Sequence, residues 1–523
     1  MRRLLTELGI ATAVLALAPA PMLAADPLDA GVADQIRAYV RDAFDELGIP
    51  GGVVVIVDAE GTRFAEGFGT ADGDGRAVTP ETPFRIASLS KGLTGLAVRQ
   101  LIDDGRLELN TAVSDVLPSF GAGNPEAEAI TIMDLLAHSA GWSERDGVVA
   151  LTDTLTDDGA LERHVLRLGR TPAIGPGKAF AYSNASYDTL GAVVAAVSGG
   201  TFEAYLQEHV LTPLDMNHTH MTIEAAVSDG MSDGHYPFFG IPLAYEVPFS
   251  RATLPSASII ASAEDLGHVL TALLADGRYE AETVLAPGSA TALRTPLADT
   301  FPGSGYGWGW WSYPLYEAGE RIVGDGNEHY RAPIILEHSG SMGTFSSEMM
   351  LMPEAGLGLV VLANLNDEVA PSRFYQAHIG IASILSGLEP PALTSYDDPL
   401  RLYAKPLMLI TVLLQLVGIA VAARRLNHWR RFPPAAARTP GWWLRHVILP
   451  AALDVAVPAV FWWLLIDTAQ IYPGDYLRLV ALAPDIGLAI GLITTLGIGW
   501  GLVRSVLTIR VLHRWSAAPV SAR

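Results

Sequence analysis

The chain has 523 residues, no cysteine and a formal charge of −22, and half of its residues are hydrophobic. Without cysteine it forms no disulfide, and a surplus of acid that large disfavours nucleic acid and anionic lipid as partners. Lysine is nearly absent: of 34 basic residues only those at 91, 178 and 405 are lysine, and the rest are arginine.

Residues 1–25 read as an export signal. Arg2 and Arg3 supply the positive start, residues 8–18 an apolar stretch, and Ala20, Ala24 and Ala25 the small residues a signal peptidase cuts beside. The apolar stretch is shorter than the about 20 residues a bilayer span needs, and Pro19 and Pro21 interrupt it.

An exported domain over 26–385 follows, with no repeat period or low-complexity block. Residues 51–57 and 62–68 around Asp58-Ala59-Glu60-Gly61 predict a β-hairpin, as do 346–352 and 357–363 around Pro353-Glu354-Ala355-Gly356. Residues 306–313, with Trp308, Trp310 and Trp311, predict a further strand. Between these ends the pattern is mostly helical. The stretch 91–103 carries Leu93, Leu96, Ala97, Leu101 and Ile102 at helical spacing and stops at Gly105. Strands at both ends with helices between predict an α+β domain whose single antiparallel sheet is closed by the two ends of the chain.

Ser88 and Lys91 stand at the start of that helix, three residues apart, so the two side chains share one face. A serine is a poor nucleophile until a neighbour takes its proton. A lysine desolvated among Phe84, Leu89 and Leu93 is pushed toward the neutral amine that can take it, which arginine cannot become. The spacing alone does not separate such a pair from a helix-capping serine beside a chance lysine. Two later motifs bear on the choice. Tyr182-Ser183-Asn184 precedes a helix carrying Tyr187, Leu190, Val193 and Val194, and His338-Ser339-Gly340-Ser341 ends the strand-like 333–337.

With Ser-x-x-Lys, Tyr-x-Asn and His-x-Gly in that order, the sequence resembles the serine hydrolases related to class C β-lactamases, D,D-peptidases (penicillin-binding proteins) and their esterase relatives. The segments "LLAHSAGW" (135–142), "LTPLDM" (211–216), "SIIASAEDL" (258–266) and "MPEAGLGLVVLANL" (352–365) extend the likeness over about 49–367. The resemblance implies a β-lactamase/transpeptidase-like fold. It also implies Ser88 as acylated nucleophile, Lys91 as its activator and Tyr182 as a partner in proton transfer. Asn184, His338, Gly340 and Ser341 would line the substrate site, with the Ser88 and Ser341 N–H groups as oxyanion hole. Such chemistry needs no cofactor or metal. The third motif begins with histidine where β-lactamases usually have lysine, and His-x-Gly is commoner among D-peptidases and esterase-like members. His338 is expected to donate a hydrogen bond to substrate or to Tyr182. His218-Thr219-His220 looks like a metal pair but shows no acid or third ligand at suitable spacing, and His138 reads as a packing or hydrogen-bonding residue.

Residues 386–405, with Pro390, Pro391 and Asp397-Asp398-Pro399, read as a linker. Within 406–515 three runs, 406–423, 447–466 and 479–503, are long and apolar enough to span a bilayer, and Trp442, Trp443, Trp462, Trp463 and Trp500 stand near their ends. Residues 401–523 hold 13 basic and 4 acidic side chains of the chain's 34 and 56, which leaves 21 and 52 in residues 1–400, a balance of −31. Arginines cluster between the first and second runs and after the third, and belong in the cytoplasm. The exported domain then faces the periplasmic side of the inner membrane and the C-terminus the cytoplasm. Asp454 and Asp485 lie within the runs, close to their ends.

The sequence therefore predicts a membrane-anchored serine hydrolase that cleaves an amide or ester through an acyl-serine. The substrate is a small molecule or peptide, with D-peptides of peptidoglycan first, esters second and β-lactams third. A non-hydrolytic penicillin-binding or sensing protein is the alternative. Nothing in the sequence sets an oligomeric state.

Overall fold

In the computed structural model the described residues are 27–516, apart from 153, 172–173, 316–319, 325–326, 368–370, 394–398, 433–438 and 464–475. The predicted export signal lies outside them. At the centre is an eight-stranded antiparallel sheet. Its strands are β1 (Gly51–Asp58), β2 (Gly61–Gly69), β5 (Ala298–Asp299), β6 (Gly305–Gly307), β7 (Trp310–Pro314), β8 (Ile334–Met342), β9 (Phe345–Met352) and β10 (Leu357–Ala363). Their order is β2-β1-β10-β9-β8-β7-β6-β5, so the first strands of the chain pair with the last, Val54 opposite Val361.

Strand periodicity divides this sheet between two cores. Val53, Val55, Val57, Met349, Leu351, Val360 and Leu362 point to one face, where α2 (Ser90–Asp103), α3 (Asn184–Ser198) and α4 (Ala263–Leu274) pack. Val54, Ile56, Met350, Met352, Leu359 and Val361 point to the other. That face is covered by α1 (Ala30–Leu47) and α5 (Pro371–Leu385). Helices, not strands, thus form the two ends of the domain. Helix α1 begins at the Asp29 cap and ends at Gly48 in the left-handed region.

The segment 306–313 is two strands rather than one. Trp308 (φ 60°) and Gly309 (φ 86°) turn the chain between β6 and β7, and two successive positive-φ residues make the tight hairpin whose twist matches its strands. This turn lies on α2: a side chain at Gly309 would come within 2.5 Å of the Lys91 carbonyl.

Helix α6 (Pro399–Arg431) starts within the segment read as a linker, so Lys405 is helical. Three helical stretches, Tyr403–Arg431, Pro440–Trp462 and Pro484–His513, are long and apolar enough to cross a membrane. Many of their apolar side chains face outward, Leu414 and Leu502 each 66% exposed, as suits a lipid-facing surface, while Met408, Ile486, Ile490 and Ile493 are buried. Asp454 pairs with Arg504 of the third stretch. Asp485 is fully buried against the hairpin of β3 (His235–Phe238) and β4 (Ile241–Ala244). There it accepts from the Tyr236 hydroxyl (2.5 Å) and the Phe239 N–H (2.9 Å) and pairs with Lys405 Nζ (3.3 Å). Lys405 also reaches Asp367 (3.3 Å) and the Pro237 carbonyl (2.9 Å). A compact ammonium with three donors suits three converging acceptors. Lys405→Met leaves the Asp485 carboxylate without its cation, and removing one partner of a buried pair costs about 3 kcal/mol. The expected result is a lower thermal midpoint in detergent and faster proteolysis at 239–244.

Candidate active site

Ser88 lies in a single 3-10 turn, Ala87–Leu89, that leads into α2. Ala87 before it has φ 48°, a left-handed conformation unfavourable for alanine and of the kind that clusters at functional sites. From Thr82 to Val98 every residue is buried except Ser88, which is half-exposed. The turn therefore presents one hydroxyl at the surface and closes over everything else. Strand β8 runs alongside it. A side chain at Gly340 would sit 2.5 Å from the Ile86 carbonyl and 2.1 Å from Ser347 Oγ, so glycine is required for this approach. Beyond Gly340, Ser341 is exposed at the strand edge, and its hydroxyl accepts from Asn366 Nδ2 at 2.9 Å.

Lys91 is fully buried. Its Nζ lies 3.0 Å from Ser88 Oγ, 2.7 Å from Asn184 Oδ1 and 2.8 Å from the Ser256 carbonyl. Burial pulls its pKa down to about 7, against the opposing pull of Asp188 and Glu144. A neutral amine has two N–H groups and one lone pair. Asn184 and Ser256 offer only acceptors, so the two N–H groups go to them and the lone pair faces the Ser88 hydroxyl. The second contact on Ser88 Oγ is Tyr182, whose hydroxyl is 3.0 Å away. Burial raises the Tyr182 pKa well above its ordinary value, so the phenol keeps its proton and serves as a donor. The arrangement can therefore supply a proton acceptor at Lys91 and a donor at Tyr182.

His338 differs from expectation. Its Nδ1 lies 2.7 Å from the Ser339 carbonyl, an acceptor, so Nδ1 carries the proton. Nε2 is then the acceptor, and it meets the hydroxyls of Tyr306 (3.3 Å) and Tyr182 (3.4 Å). Burial, with Lys91 nearby, lowers the His338 pKa to about 3, which keeps the ring neutral. Only 2% exposed, it accepts from the Tyr306 hydroxyl, while the single Tyr182 proton is directed at Ser88, and its place is that of a positioning residue. His338→Gln is expected to lower kcat/KM by roughly three- to tenfold, the worth of one hydrogen bond. Because the ring does not titrate above about pH 3, the acid limb of the pH profile should stay where it is, as pH-resolved kinetics would show.

The comparisons with known proteins concern the family and the fold. The family model described as Beta-lactamase matches residues 36–380, well over half of the chain. The chain belongs to the β-lactamase family. Among its relatives, protein flp of Staphylococcus aureus strain MW2 is 29% identical over 410 residues, covering 75% of each chain. Penicillin-binding protein 4 of Amycolatopsis lactamdurans is 29% identical over 374 residues, 68% of this chain and 92% of that one. Among solved structures, the octameric penicillin-binding protein homologue from Pyrococcus abyssi superposes with a TM-score of 0.57 at 23% identity, over 73% of this chain and 82% of that one. That likeness concerns the fold.

Several parts of this β-lactamase-family site carry no motif of their own. Tyr306 and Trp311 wall it, Trp311 stacking on Tyr182 at 6.2 Å. Asp188, fully buried and hydrogen-bonded to His164 Nε2 (3.1 Å), supplies negative potential beneath Lys91. Position 188 lies four residues beyond Asn184 on α3, one turn away on the same face, and that spacing was the available signal. His138 packs its ring among Tyr182, Tyr187 and Tyr306, with centroids 4.6–5.2 Å away, and Nδ1 accepts from the Ser183 N–H at 3.3 Å.

His218 and His220 do meet an acid. Their Nδ1 and Nε2 lie 2.9 and 2.7 Å from Asp229 Oδ2, and a carboxylate shared by two imidazoles accounts for the pair. The spacing of nine residues hid it, because the helix between turns Asp229 back. A second group, Glu337, Glu348 and His378, is buried on the sheet face away from Ser88, with ligand atoms within 4.8 Å of one another. Glu337 faces Nε2 of His378 at 3.0 Å and Glu348 faces Nδ1 at 3.6 Å. The imidazole is hydrogen-bonded to Glu337, while Glu348 stands beyond hydrogen-bond reach of Nδ1.

Proposed function

We propose that this chain is a membrane-anchored serine hydrolase that cleaves an amide or ester through an acyl-serine. The observation that carries the reading is the 3.0 Å approach of the fully buried Lys91 Nζ, its pKa lowered to about 7 by burial, to Ser88 Oγ. Lys91 accepts the hydroxyl proton as Oγ bonds to the substrate carbonyl carbon. The resulting oxyanion is held by the N–H groups of Ser88 and Ser341, the roles the family resemblance implies. Collapse breaks the bond to the leaving group, which takes a proton from Tyr182, and Lys91 returns a proton to Tyr182. Water then attacks the acyl-serine by the same route in reverse, releasing the acid and restoring Ser88. D-peptides from peptidoglycan are the first substrate class, since the domain is placed outside the cell by the export signal and the arginine bias. The neutral His338 offers no fixed cation for the carboxylate of a β-lactam, which ranks small esters ahead of β-lactams. A sensor that is acylated without release is the alternative.

The test incubates the purified full chain with a fluorophosphonate and with a fluorescent penicillin. Ser88 should be the labelled residue, and the penicillin label should leave within minutes. A label that stays supports the sensor, and no label at Ser88 with either probe removes the nucleophile assignment.

A further inference from the structure

The serine site is joined to the apolar helices through one short hairpin. Lys405 and Asp485 stand near the starts of the stretches Tyr403–Arg431 and Pro484–His513, which the arginine bias puts at the outer membrane–water boundary. Both side chains are tied to Tyr236, Pro237 and Phe239, so the hairpin β3–β4 lies at that boundary. Its aromatic residues Tyr236, Phe238 and Phe239 pack with Met408, Leu479 and Ile486 of the apolar helices. On β4, Ile241 is 63% and Leu243 48% exposed. Apolar side chains in such a place find lipid rather than water.

From the hairpin the chain runs directly into the wall of the site. Tyr245 donates its hydroxyl to the Ala481 carbonyl at 2.9 Å and packs against the helix cluster on one side. On its other side lie Ala87, Val247, Ala257 and Met342. Ala87 precedes Ser88, Met342 follows Ser341, and the segment continues to Ser256, whose carbonyl holds Lys91. One aromatic side chain therefore separates the pocket wall from the short helix Tyr476–Leu482 that leads into the third apolar stretch.

From this continuity we infer that the site works at the level of the lipid headgroups, on amides or esters of amphiphiles whose hydrocarbon part stays in the bilayer. The inference rests on the reading of Ser88 as the acylated nucleophile. An amphiphile held by the same bilayer reaches the site at high effective concentration, provided its scissile bond lies within the short distance that the hairpin sets. A site standing well above the membrane would instead need a long tether.

The experiment places the full chain in phosphatidylcholine nanodiscs with three coumarin esters that share one scissile bond. One is free in water, one is attached to a diacylglycerol by a linker no longer than a headgroup, and one by a long polyethylene glycol linker. The short-tethered ester should be cleaved about tenfold faster than the long-tethered one, which floats its bond above the surface. The double substitution Ile241→Ser and Leu243→Ser should slow the short-tethered ester about fivefold and leave the free ester unchanged. Cleavage of the long-tethered and free esters with none of the short-tethered one overturns the inference while the hydrolase reading stands. So does a double variant that cleaves the short-tethered ester at the wild-type rate. If no ester is cleaved and a soluble fluorophosphonate leaves Ser88 unlabelled, the hydrolase reading itself fails, and the inference with it.

Discussion

Ser88→Ala should abolish turnover, lowering kcat by roughly 10⁴- to 10⁶-fold, the range for removing one member of a nucleophile–base pair in serine hydrolases. The pocket should survive the change. Ser88 stands at the surface of its turn while Lys91 keeps its two other acceptors, Asn184 and Ser256. The Ala87–Leu89 turn is braced by backbone contacts, Ile86 N–H to the Ile259 carbonyl at 3.1 Å and Ser347 Oγ to the Ile86 carbonyl at 2.8 Å. The variant is therefore expected to melt within a few degrees of the parent and to bind a product-like carboxylic acid or amide with similar affinity. Loss of binding together with turnover would mean that Ser88 shapes the pocket rather than reacting in it. The informative measurement is calorimetric binding beside single-turnover kinetics on the same preparation.

The second large effect concerns the proton. Lys91 is charged below about pH 7 and neutral above it. Only the neutral amine accepts the Ser88 proton, so kcat/KM of the free enzyme should rise with pH through an apparent pKa near 7 and then level. His338 remains neutral throughout this range, and the Tyr182 phenol stays protonated because burial raises its pKa, so neither adds a limb close by. Lys91→Arg keeps the positive charge but cannot lose it. A loss of about 10²- to 10⁴-fold, the usual worth of a general base, is expected, together with disappearance of the limb near 7. An acid limb that persists unchanged in Lys91→Arg would assign it to another group and remove Lys91 from the role of base. The two substitutions should not add, because nucleophile and base act as one unit: Ser88→Ala with Lys91→Arg is expected to be no slower than Ser88→Ala alone.

Much of this molecule is local chemistry. The unbroken apolar run Val53 to Val57 specifies a strand buried on both faces, and the turns at Asp58 and Pro353 specify two hairpins. Helix α1 is equally local, with Ile36, Val40 and Phe44 at helical spacing between the Asp29 cap and Gly48. The turn at Trp308-Gly309 was hidden because three tryptophans and two tyrosines give the whole segment high strand propensity. Only the positive φ of both turn residues reveals two strands.

By itself the sequence determined which side chains are available and in what order: a serine and a lysine one turn apart, Tyr182 with Asn184, a histidine before a glycine, and three long apolar runs at the C-terminus. These follow from spacing along the chain, which sets what neighbours what within one helix or strand. The tertiary structure decided what those side chains are. Lys91 has its pKa lowered because packing buries it completely, with the Ser256 carbonyl, 165 residues away, holding its Nζ. His338 is an acceptor because the neighbouring Ser339 carbonyl turns toward Nδ1 while Tyr306, from another strand, closes over Nε2. Asp485 anchors a hairpin 249 residues earlier in the chain. Each of these partners is a backbone group or a distant hydroxyl, and such groups occur at every residue or at many. No pattern in the sequence marks one of them out until packing brings it within 3 Å and excludes the water that would otherwise take its place.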